Sequence, residues 1–126
     1  MRYDPDEDVD AAAWLAMDES EQQHLIRRYH KRAGIRMPST RMHAIVHGAI
    51  ESQLAEGEPV VTDAFSRMRA QGLSRHDAVH AVGSVWIRHV YEVLKNQQLF
   101  DKGTYDADMR SLTAEEWLRS ADVEDE

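Results

Sequence analysis

From about Val9 to about Trp117 the apolar residues recur at intervals of three and four, and no stretch alternates convincingly between apolar and polar. A helix repeats its faces at i+3 and i+4 and a strand at i+2, so this chain can bury its apolar residues efficiently only as helices. Ala11, Ala12, Trp14, Leu15 and Met17 predict a short first helix behind Asp10 as cap. Asp18 with Glu21 forms a capping pair for a second segment carrying Leu25, Ile26 and Tyr29, unless the two run on as one helix. Gly34 and Pro38 mark a break. Ser39 or Thr40 caps a helix over about 40–55, whose Met42, Ile45, Val46, Ala49, Ile50 and Leu54 form one buried face. Gly57-Glu58-Pro59 closes it. A shorter helix over roughly 60–71 carries Val60, Val61, Ala64, Phe65 and Met68 and ends at Gly72. Ser74 caps the longest, about 75–97, with Val79, Val82, Val85, Trp86, Val90, Val93 and Leu94. After Asp101-Lys102-Gly103 the signal weakens, and Thr113 with Glu116 precedes a last turn containing Trp117 and Leu118. The expected fold is all-α, a compact bundle of about four main helices with short accessory helices.

Charge is placed unevenly. Asp4, Asp6, Glu7, Asp8 and Asp10 stand at one end, and Asp122, Glu124, Asp125 and Glu126 at the other. These nine acids, with Arg2 as the one base beside them, account for the net charge of −8, because residues 11–121 hold 14 acids and 14 bases. The organisation expected is an acidic flexible tail over 1–8, a single helical domain over 9–119 and an acidic tail over 120–126. A repelling charge without a long basic stripe argues against nucleic acid as the main ligand. No run has the roughly 18–20 apolar residues of a membrane span, and the start lacks a secretory signal, so a cytoplasmic protein is expected. The absence of Cys removes disulfides, thiolate metal sites and thiol nucleophiles.

Chemistry is concentrated in the seven histidines: His24, His30, His43, His47, His76, His80 and His89. Four of them form two pairs of identical spacing, His43-x3-His47 and His76-x3-His80. Positions four apart share a helix face with Cβ atoms roughly 5–6 Å apart, close enough for two imidazoles to converge on one ion. Glu51 continues the first row by another turn, as a candidate oxygen ligand, partner behind a ligand, or general base. On a wheel of about 100° per residue, both pairs fall at the edge of their helix's apolar arc, where a side chain can face a neighbouring helix. Gly83, three residues after His80, leaves room there for a partner helix or an imidazole. His89 lies inside the apolar arc and reads as a hydrogen-bonded core residue. His30, beside Tyr29, is a further candidate ligand, whereas Asp77 points to the polar side. The tryptophans and methionines read as core.

The segment Trp14-Leu15-Ala16-Met17-Asp18-Glu19, the Tyr29-His30 pair, His43-x3-His47-x2-Ile50-Glu51-x-Gln53-Leu54 and the block Arg75 to Val85 resemble a family of small helical bacterial proteins with paired HxxxH motifs and no assigned activity. The resemblance spans roughly residues 14–95, with the two His-containing blocks its specific part. It implies a helical fold and invites a metal reading, and it lends no reaction.

Imidazole and carboxylate ligands suit zinc, iron, nickel or copper, and a ferritin-like di-iron centre would draw more carboxylates than Glu51. The expectation is therefore one divalent transition metal, zinc or iron foremost, held by His43, His47, Glu51, His76 and His80 between two core helices. Four imidazoles would close a tetrahedral structural site; three plus water would permit hydrolysis, with Glu51 activating the water. The rival expectation is a metal-free interaction module, its histidines packing and its Trp-rich surface docking a protein partner or a second copy.

Overall fold

The computed structural model describes residues 2–33 and 40–124. Among them are seven helices and no strand: α1 (Ala11–Ala16), α2 (Glu19–Ala33), α3 (Thr40–Ala55), α4 (Pro59–Ala70), α5 (Arg75–Asn96), α6 (Lys102–Ser111) and α7 (Ala114–Glu124). None of these is long and apolar enough to cross a membrane. The starts obey local chemistry. Asp10 Oδ1 accepts the Ala13 N–H, Asp18 Oδ1 that of Glu21, Ser74 Oγ that of Asp77 and Thr113 Oγ1 that of Glu116, each satisfying an N–H that the helix itself leaves without a partner. Of the two alternatives for the first segments, the chain takes the broken one: Met17 is extended and α2 begins afresh. Gly34, Pro38 and Ser39, read as stop, break and cap, lie outside the described residues, as do the side chains of His30 and Thr40.

The C-terminal third is more helical than its sequence suggests. Asp101 caps α6 through the Thr104 N–H, and only Tyr105 and Met109, one turn apart, reach the core from it. Arg67 of α4 donates to the carbonyl oxygens of Met109 (2.7 Å) and Leu112 (3.1 Å), tying down the end of α6. Gln71 Oε1 accepts the Ala114 N–H and anchors the start of α7. That helix runs to Glu124, through most of the stretch expected to be an acidic tail.

Two clusters fill the interior. The larger is apolar and joins Ile50, Val61, Ala64, Met68, Leu73, Val79, Val82, Val85, Tyr105 and Met109 between α3, α4, α5 and α6. The smaller holds Tyr3, Trp14, Ile26 and Ala44 where α1 and α2 pack on α3. Helix α3 touches α1, α2, α4 and α5 and is the element common to both. Its approach to α5 depends on Gly83, where a Cβ would stand 2.5 Å from Val46 Cγ1. Because Gly83 is one turn beyond His80, the contact that brings the helix axes together also carries His80 toward α3.

Candidate metal centre

His43 and His47 project from α3 and His80 from the facing side of α5. His80 Nε2 lies 2.7 Å from His47 Nε2 and 3.1 Å from His43 Nε2. The three ligand atoms are all within 4.8 Å of one another. Two nitrogens bound tetrahedrally at about 2.0–2.1 Å from one ion stand roughly 3.3–3.4 Å apart, so small ring adjustments would accommodate an ion. His47 is fully buried, whereas His43 and His80 are half-buried. The i, i+4 pair on α3 therefore meets one member of the pair on α5, and these three form a group that can hold a metal ion.

His76, the other member, stands beside the group. Its ring centroid is 4.4 Å from that of His80, 5.1 Å from that of His47 and 5.6 Å from that of Tyr29. Its Nε2 is buried with no hydrogen-bond partner among the described residues. Burial lowers the His76 pKa against the raising effect of the charges of Asp6, Asp77, Asp4 and Glu51, which favours the neutral imidazole a metal requires.

Glu51 sits behind the imidazoles with both carboxylate oxygens engaged. Arg75 Nη1 donates to Oε2 and Nη2 to Oε1, each at 2.8 Å, in a bidentate pair whose members are 6% and 1% exposed. The Tyr3 hydroxyl donates to Oε2 at 2.7 Å and lies 2.9 Å from His47 Nδ1. Arg75 is further held by the Pro5 carbonyl oxygen at 2.9 Å, by Asp8 at 3.6 Å and by the Phe65 ring beneath its guanidinium. Burial works against the Arg75 charge, but the hydrogen bonds and charge of Glu51 outweigh it and raise the guanidinium pKa. Tyr3 is pushed well above the ordinary phenol range, first by burial and then by the Glu51 charge. A buried ion pair of this kind is tolerable only because both carboxylate oxygens have donors, Oε2 two and Oε1 one.

Part of the segment expected to be a solvated tail thus belongs to the packed body: Tyr3 and Pro5 are buried, and Asp6 Oδ1 accepts the His76 N–H at 3.1 Å. Tyr3 carried no periodic signal, standing alone among acids. Arg75 was more legible, since it shares the i, i+4, i+7 row of Val79 and Val82 and so had to face inward. His89 is buried on the other side of α5, its Nε2 2.6 Å from Asp108 Oδ2. Trp14 is fully buried, and Trp86 and Trp117 pack partly buried against the larger cluster. Comparison with protein families, with curated proteins and with solved structures finds nothing that matches this chain.

Proposed function

We propose that this protein binds one divalent transition metal ion, zinc or iron, through His43, His47 and His80, with His76 as a fourth nitrogen. The observation that carries the reading is the convergence of three Nε2 atoms, two separations being 2.7 and 3.1 Å, from two helices whose i, i+4 pairs face each other. The His76 Nε2, which has no hydrogen-bond partner among the described residues, supports the fourth position, because a buried ring nitrogen left so is costly unless something engages it. Four imidazoles close a tetrahedral site, which favours an ion that stabilises the fold over one that turns over a substrate. In this reading Glu51 is neither ligand nor base: with both oxygens held by Arg75 and Tyr3, it orients the residues behind the ion.

Calorimetric zinc titration of protein made without a His tag tests the proposal. Wild type should take up one ion, His80→Ala should lose more than tenfold in affinity, and His89→Ala should bind as wild type does while losing about 1 kcal/mol of stability with its buried hydrogen bond. No binding by wild type, or equal affinity in the two variants, overturns it.

A second reading, an interaction module, draws on a different observation. Tyr91, Leu94, Leu99 and Phe100 at and beyond the end of α5 are exposed, Leu99 by 92%. Sedimentation velocity of wild type against Leu94→Glu would expose self-association through that face, and a monomer at all concentrations would argue against a second copy as its partner.

A further inference from the structure

The reading of a metal centre leaves open what readies its most buried ligand, and here we propose that Tyr3 is a positioning residue that sets the tautomer of His47. The inference rests on the metal reading and follows from counting protons. A phenol has a single hydroxyl proton, and an ionised carboxylate can only accept. Tyr3 donates its proton to Glu51 Oε2 at 2.7 Å, a charge-assisted contact and the stronger of its two. The phenol oxygen can then only accept from His47 Nδ1, 2.9 Å away, so the proton in that contact belongs to the imidazole. A neutral His47 protonated at Nδ1 presents a lone pair at Nε2, the atom that lies 2.7 Å from His80 Nε2. The other tautomer would place a hydrogen among the converging nitrogens and expel an ion. Histidine ligands are commonly oriented by a carboxylate or carbonyl on the far ring nitrogen; here a tyrosine relays that function from Glu51.

The relay is held at both ends. Arg75 fixes Glu51 through its two 2.8 Å contacts and fixes the Tyr3 segment through the Pro5 carbonyl oxygen. The Tyr3 ring packs 5.6 Å from Trp14 and 6.1 Å, edge-on, from Tyr29, so the hydroxyl has little room to turn away. Asp6 secures the same segment to the first turn of α5 through the His76 N–H.

Tyr3→Phe keeps the ring and removes only the hydroxyl. Zinc titration of the full-length variant should show a loss of about 10–100-fold in affinity, the size expected for removing a group that orients a ligand. A purely structural role would lower the melting temperature of the zinc-free protein and leave zinc affinity unchanged. The tautomer itself is readable in zinc-free wild type by long-range ¹H–¹⁵N correlation of the histidine rings, with His47 expected as the Nδ1–H form. Wild-type affinity in Tyr3→Phe, or an Nε2–H His47, overturns the inference while leaving the metal site standing. Absence of zinc binding by wild type overturns the metal site, and the tautomer measurement still decides the role of Tyr3, as it does if Tyr3→Phe fails to fold.

Discussion

Ile50 and Glu51 are neighbours on α3, both buried, and they belong to two different kinds of interior. Ile50 enters a cluster of aliphatic and sulfur-containing side chains against Val61, Met68, Val79 and Val82. Glu51 enters a region where burial is made tolerable by Arg75, Tyr3 and, beyond them, four imidazoles. In the first region stability follows apolar area and close packing, neither of which specifies one partner, so substitutions that keep volume are absorbed. In the second the Glu51 carboxylate, the Arg75 Nη atoms and the Tyr3 hydroxyl depend on one another, and losing one strands the others. The same two helices build both, so the polar region draws its rigidity from the apolar one.

The contrast is most severely tested at Arg75. Arg75→Met keeps much of the side-chain volume but strands Glu51, and should cost about 3–5 kcal/mol in urea denaturation. Met68→Leu at the centre of the apolar cluster should cost less than about 1.5 kcal/mol. Comparable losses in the two would remove the distinction. Gly83→Ala acts on the seam between the regions. Its new methyl would meet Val46 Cγ1, on a β-branched side chain with little rotamer freedom, so the helices must part, at about 1–3 kcal/mol. Zinc affinity should fall with stability, because His80 moves with the helix; a variant of lowered stability and unchanged affinity would uncouple the regions. The gentlest perturbation is alkali. Each region has a buried tyrosine with a raised pKa: burial pushes Tyr105 to about 12, and burial with the Glu51 charge raises Tyr3 well above the ordinary phenol range. The unfolded chain ionises near pH 10, so stability is complete below that and drains as pH climbs through 10 toward about 12 and beyond. Urea midpoints from pH 8 to 11.5 should fall in wild type and fall less in both Tyr105→Phe and Tyr3→Phe; identical pH slopes in all three would deny the two phenols this part.

The apolar region was the more legible of the two. Its rows at three and four specify helix faces whatever their partner, and Asp10, Asp18, Ser74 and Thr113 announce starts through local hydrogen bonds. The paired histidines were visible because i, i+4 spacing is itself a geometric statement. Which members meet was not, since that depends on the axial stagger of α3 against α5: it carries His80 onto His43 and His47 and leaves His76 beside them. Helix α6 was faint because two core residues make too short a row to reveal a period. Tyr3 was invisible for another reason. A residue that docks from a segment outside any helix has no repeat, and in sequence its acidic neighbours read as those of a solvated tail.

The Arg75 contact to the Pro5 carbonyl oxygen joins groups 70 residues apart, and Tyr3 meets His47 across 44. The helices need only neighbours along the chain and can form early, whereas these closures must wait for the loops between them to be ordered. During synthesis Tyr3 is made well before α5, and its place in the interior does not exist until Arg75 has emerged. The earliest-made part of this region thus settles only once the start of α5 is in place.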